Sequence, residues 1–137
     1  MAKRFKLTLE YDGGAFAGWQ RQEPGVTTVQ GVLEQAITQF TGETITLHVA
    51  GRTDAGVHAI GQVAHCDIRD DAMTEKTMRD AINAHVRPHP VAVLRAEMIG
   101  DDFHARFSAT RRRYRYRVCN RRAPPVLEAT TSWHIMK

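Results

Sequence analysis

Residues 45–68, ITLHVAGRTDAGVHAIGQVAHCDI, set two apolar-rich stretches around a segment bounded by glycines. Ile45–Val49 and Gly61–Ile68 have the β-branched, alternating character of strands. Residues 50–58 between them bend at Gly51 and Gly56, where the absence of a Cβ lets the backbone turn tightly. Two strands joined in this way need helices or further strands to cover them, and the flanking sequence supplies both.

Upstream, Phe5–Tyr11 (FKLTLEY) alternates apolar and polar residues and runs into Asp12-Gly13-Gly14, a strand ending in a turn. Thr27 to Gln30 has the spacing of a capping box, with Thr27 as N-cap. It opens a helix with an apolar stripe of Val29, Val32, Leu33, Ala36, Ile37 and Phe40, stopped at Gly42. Downstream, residues 74–85 have helical spacing and end before Pro88. Residues 91–98 form a fourth strand, with Leu94, Ala96 and Met98 expected on one face. The order β-α-β-β-α-β predicts an α+β fold of the ferredoxin-like, split kind. An additional Arg/Tyr-rich strand is predicted over residues 112–120, with Tyr114, Tyr116 and Val118 on one face and Arg113, Arg115 and Arg117 on the other. Tyr116 is expected in the core. Pro124-Pro125 breaks regular structure.

The 137 residues fit one domain with a real core. Hydrophobic residues make up 42% and charged residues 25%, a globular balance. No apolar run approaches the roughly 20 residues of a membrane span, and the N-terminus MAKRFKLTLEYD lacks the apolar region of a signal peptide. Two distant cysteines, Cys66 and Cys119, are too few for a secreted disulfide scaffold, so a cytoplasmic location is expected. The net charge of +4 is concentrated. Eight of the nineteen basic residues are arginines between Arg106 and Arg122, a stretch without an acidic residue. The rest of the chain has eleven basic and fifteen acidic residues, a balance of −4. Arginines interleaved with Tyr114 and Tyr116 suit a nucleic-acid partner better than a merely solvated face.

Several chemistries are excluded by residue type. Gly13 to Gly18 has P-loop spacing, but Trp19-Gln20 stands where a lysine and a hydroxyl residue are required. Neither serine, Ser108 nor Ser132, sits in a nucleophile elbow. His85 and His89 are separated by Pro88, and two lone cysteines with scattered histidines do not compose a zinc site. His65 and Cys66 suit a sheet interior, while Asp70-Asp71 and Asp101-Asp102 suit turns or caps. No metal and no cofactor is indicated. What remains is Gly51–His65, GRTDAGVHAIGQVAH, which places Arg52 and Asp54 two residues apart. Four letters of this kind would ordinarily be a turn with a capping aspartate. The whole run with its flanks is more specific than that.

Tyr11–Gln22 (YDGGAFAGWQRQ), Thr28–Ala36 (TVQGVLEQA), Gly51–His65 and Asp101–Tyr116 (DDFHARFSATRRRYRY) resemble, in order, the blocks of the A-type tRNA pseudouridine synthases. The resemblance spans nearly the whole chain. It implies half of a pseudouridine synthase fold, with 1–137 as the N-terminal domain and a second half outside this chain. It also implies isomerisation of uridines in the anticodon stem-loop of tRNA, without metal or cofactor, by an enzyme that forms homodimers. Asp54 matches the family's catalytic aspartate, Arg52 the arginine of the same motif, and Tyr114 the active-site tyrosine. Arg111 and Arg113 are expected to contact the RNA.

The residue types suit that reaction. Isomerising uridine breaks its N1 glycosidic bond, turns the ring, and joins C5 to the same ribose carbon. A carboxylate, ionised at neutral pH, can serve as nucleophile toward base or ribose, or as a base toward a sugar proton. Arg52 could orient Asp54 or grip a phosphate. Tyr114 can stack on an extruded uracil and offer a hydroxyl for proton transfer. This chain by itself, lacking the second half, is expected to fold without catalysing. The alternatives are a non-catalytic RNA-binding domain, against which the missing RNP1 pattern counts, and an assembly domain.

Overall fold

The computed structural model describes residues 2–136. Strand β1 (Lys3–Tyr11) buries Phe5, Leu7, Leu9 and Tyr11 in strict alternation. It is the inner strand between β3 (Ala59–Ile68) and β4 (Val91–Ile99), antiparallel to both. The two-residue β2 (His48–Val49) pairs with β3, so the four-stranded sheet has the order β2-β3-β1-β4. Helix α1 (Val29–Thr41) and helix α2 (Glu75–His85) join the core cluster that contains the buried side of β1. Val29, Leu33, Ala36 and Ile37 come from α1, and Met78 and Ile82 from α2. Burying each of the valine, leucine, isoleucine and methionine side chains among these is worth about 1.5–3 kcal/mol.

The helix ends follow from local chemistry. Thr28 Oγ1 accepts from Gly31 N at 3.1 Å, so α1 is capped one residue later than the capping-box spacing suggests. Gln30 does not close the box: its side chain accepts from Arg21 N and donates to Glu34. Gly42 ends the helix in the left-handed region, at φ 73°. Thr74 caps α2 through Thr77 N.

Three strand expectations are corrected. Residues 45–47 do not join a ladder, because the buried Glu34 carboxylate takes the Leu47 N–H at 2.9 Å. In β4, the pairing skips Leu94 between Arg95↔Thr8 and Val93↔Leu9. This bulge breaks the expected face: Ala96, opposite Leu7, is buried, while Leu94 and Met98 are 46% and 49% exposed. Residues 112–117 form no strand, and only β5 (Val118–Asn120) is extended, parallel to β6 (Trp133–Ile135). Tyr114 and Val118, which that period would put on one face with Tyr116, are 71% and 49% exposed, so the face has nothing to pack against. Tyr116, expected in the core, is 89% exposed.

The sheet face away from the helices is crossed by residues 101–108. Arg4 pairs with Asp67 at 2.8 Å and donates to the carbonyls of Asp101 and Phe103. His65 Nδ1 accepts from Ala105 N at 3.0 Å, and its ring lies 4.9 Å from that of His48 and 4.6 Å from that of His104. His65 and Cys66 are both buried, in keeping with a sheet interior.

Candidate active site

The segment between β2 and β3 carries Arg52 and Asp54, and its backbone is held along most of its length. Ala50 N donates to Val63 O at 2.9 Å, continuing the ladder past β2. The Gly51 carbonyl accepts from Gln62 Nε2 at 2.7 Å. Thr53 O accepts from Trp19 N at 3.0 Å, and Thr53 Oγ1 meets the Tyr11 hydroxyl at 2.7 Å. Val57 N closes a turn onto Asp54 O at 3.1 Å, with Gly56 at φ 82°. His58 Nδ1 accepts from Gly13 N at 3.0 Å, which leaves its Nε2–H to donate to Thr130 O.

Residues 13–19 lie directly beneath this loop. A Cβ on Gly18, at φ 101°, would stand 2.9 Å from Thr53 O. One on Gly13 would stand 2.0 Å from Val57 O. Phe16 and Trp19 are buried behind them with Tyr11. The YDGGAFAGWQ run is therefore the bed on which the loop rests.

Extended chain alternates its side chains, and here Thr53 points inward to Tyr11 while Arg52 and Asp54 are exposed. Among the described residues no ion pair joins Arg52 to Asp54.

The arginine segment returns to the loop. Arg112 Nε donates to Ala50 O at 2.9 Å, and the same guanidinium donates to Arg106 O at 3.1 Å. This brings the Tyr114 hydroxyl to 3.9 Å from where a Cβ on Gly51 would lie. Tyr114 is otherwise 71% exposed, its ring face open. Arg111 and Arg113 are exposed, on either side of the anchoring Arg112.

The structure thus brings Arg52, Asp54 and Tyr114 to one loop and leaves Arg111 and Arg113 beside it. The sequence reasoning passed over Arg112, Tyr11, Thr53 and Gln62. Tyr11 had a signal, as the polar-tipped end of an apolar strand face, and so did Thr53, between two candidate residues. Gln62 and Arg112 had none beyond their positions.

Burial pushes the His65 imidazole down to about 4, helped by the positive Arg4 and by the neighbouring His104 and His48. His104 is lowered too, chiefly by desolvation. Asp67 is held below the ordinary carboxylate range by its hydrogen bond to Arg4. At neutral pH His65 is therefore an uncharged acceptor for Ala105 N. Two grooves, of about 190 and 500 Å³, run along α1 around Val32, Gln35 and His89, and neither includes Asp54. Among the described residues no group of three or more His, Cys, Asp or Glu is placed to hold a metal ion. No described helix is long and apolar enough to cross a membrane.

A family model described as tRNA pseudouridine synthase matches residues 8–108. A tRNA pseudouridine synthase A of Rhodopseudomonas palustris (strain HaA2) is 58% identical over 134 residues, which is 98% of this chain and 54% of that protein. The protein of the same name from Methylorubrum populi is 57% identical over 132 residues, covering 96% of this chain and 52% of its own length. That of Rhodospirillum centenum is 56% identical over 133 residues, covering 97% and 54%. The chain spans about half the length of the curated relatives it matches.

Proposed function

The chain belongs to the tRNA pseudouridine synthase family, and from that premise we propose that it forms the N-terminal half of a cleft that isomerises uridine in tRNA, with Asp54 as nucleophile. One observation carries the reading: the exposed Asp54 carboxylate stands on a loop pinned from below, with the Tyr114 hydroxyl beside the same loop. A nucleophile needs access to substrate and a fixed approach, and these two features supply both.

The reaction conserves atoms. The N1 bond to the ribose is broken, the uracil turns, C5 bonds to the same carbon, and the proton on C5 is removed while N1 gains one. Asp54 bonds to the uridine, holds the intermediate while the uracil turns and is released again as the free carboxylate as pseudouridine forms; Tyr114 stacks on the freed uracil, and Arg52 grips a neighbouring phosphate. Arg111 and Arg113 extend the positive surface along the RNA backbone. The substrate is the anticodon stem-loop. The strand order β4-β1-β3-β2 with its two helices supports a ferredoxin-like unit. A second half of similar architecture walls the other side of Asp54, and two copies pair as a homodimer in the cytoplasm.

The test joins residues 1–137 to the part of the Rhodopseudomonas palustris relative that lies beyond the matched region. The fusion should form pseudouridine in anticodon stem-loop RNA, detected by mass spectrometry, whereas residues 1–137 alone should not. Asp54→Asn in the fusion keeps side-chain size but loses charge and nucleophilicity, and should lower turnover by roughly 10⁴-fold with RNA binding retained. Wild-type turnover in that variant would remove Asp54 as the nucleophile. An inactive fusion that still binds RNA would favour an RNA-binding domain.

A further inference from the structure

The tripeptide leading into Asp54 is gripped at both ends by side chains beneath the surface. Gln62 donates from Nε2 to the Gly51 carbonyl at 2.7 Å and to the Tyr11 hydroxyl at 3.3 Å. The same hydroxyl meets Thr53 Oγ1 at 2.7 Å, a contact in which either oxygen can donate. Tyr11 is 4% exposed at the end of β1, with ring centroids 6.2 Å from Phe16 and 6.2 Å from Trp19. Packing in that aromatic cluster would be served by a phenylalanine, which brings no buried polar atom to satisfy. The hydroxyl has a use only through Thr53 and Gln62.

Thr53 is the hinge of the arrangement. With its side chain bonded inward and its carbonyl bonded to Trp19 N, its neighbours at 52 and 54 can only face outward. Gln62 holds the preceding peptide, so the backbone leading into Asp54 is bonded at Gly51 and again at Thr53. We infer that Tyr11 and Gln62 are positioning residues, which aim Asp54 and Arg52 at the uridine through Thr53 and Gly51. The inference rests on the reading of Asp54 as the catalytic carboxylate. Neither positioning residue touches the reacting atoms.

The experiment uses the active fusion and compares Tyr11→Phe, Thr53→Val, Thr53→Ser and the Tyr11→Phe/Thr53→Val pair. Tyr11→Phe and Thr53→Val should each lower kcat by roughly 10- to 100-fold, the scale of a misplacement near 1 Å, with KM for the RNA unchanged. Thr53→Ser keeps the hydroxyl and should retain kcat within about twofold, since the network it serves is intact. The paired variant should be no slower than the slower single one, because both remove the same hydrogen bond. In residues 1–137 the Trp19 N–H, which bonds Thr53 O, should exchange with solvent faster in Tyr11→Phe than in wild type. Wild-type kcat in Tyr11→Phe, multiplying losses in the pair, or unchanged exchange at Trp19 would each overturn the inference. A lowered melting temperature with kcat intact would also overturn it, by marking the network as structural support. Asp54→Asn is measured alongside. If it is inactive while Tyr11→Phe runs at the wild-type rate, positioning alone fails; if Asp54→Asn is active, the reading of Asp54 fails and the inference with it.

Discussion

Gly13 is a residue whose whole contribution is the atom it lacks. A Cβ there would stand 2.0 Å from the Val57 carbonyl oxygen and 2.3 Å from its carbon, both backbone atoms that no rotamer change can move aside. Gly14, its neighbour, would meet only the Asp12 side chain, at 3.1 Å. Gly13→Ala should therefore lower stability in urea unfolding by about 1–3 kcal/mol, as overpacking does, and Gly14→Ala by clearly less. Equal losses would mean that the loop after Asp54 is free to move off the glycine. At this scale the sequence pointed to candidate residues and was silent about their support. Arg52, Asp54 and Tyr114 stood out as candidates by residue type and by the runs around them. Gly13 and Gly18 could be read as turn formers, but their contacts with residues 53–57 lie across about forty positions of chain, which no local pattern encodes.

Elements were legible where a cap or an alternation fixes them locally. Gly42 and Thr74 mark helix ends because a left-handed residue and a side-chain acceptor act on their immediate neighbours. They were illegible where a partner decides. The Leu94 bulge depends on the pairing of β4 with β1, and the short β2 depends on Glu34 from α1. The arginine segment alternates like a strand, yet Arg112 commits its side chain to Ala50 O and Arg106 O while its neighbours stay in solvent. That distinction within one run makes a prediction. Arg111→Ala and Arg113→Ala should each make the log–log salt dependence of RNA binding shallower, by about one unit for each phosphate no longer neutralised, measured by filter binding. An unchanged slope would place these arginines away from the RNA.

For the molecule as a whole, pH acts through the clasp over the open sheet face. His65 keeps its neutral form down to about 4 because burial, Arg4 and the two nearby histidines oppose its charge. The unfolded chain takes up that proton near the ordinary pKa of about 6.5. Its folded pKa lies below its unfolded one, so stability is full above pH 6.5 and is lost as pH falls toward 4. Asp67, also held low, adds a loss on further acidification, as its pairing with Arg4 is protonated away. Melting temperature should accordingly be level above pH 6.5 and decline from there to 4. A level profile through that window would mean that His65 takes up its proton in the folded protein as readily as in the unfolded chain. None of this was visible in the composition, where seven histidines are only a count.

The exposed run from Arg111 to Arg117, which lies outside any strand, has one more consequence, which concerns proteolysis. Trypsin cleaves after arginine in accessible backbone outside regular structure; of the five exposed arginines in this run, Arg111, Arg113 and Arg115 are not engaged, while Arg112 is tied to Ala50 O and Arg106 O and Arg117 to Glu128. Brief digestion should cut there before anywhere else, as mass spectrometry of the products would show. It would leave a core with both helices, the four-stranded sheet and the residues clasped by Arg4 and His65. RNA bound along the arginines should shield them, so the rate of that first cut becomes a measure of occupancy that requires no turnover at all.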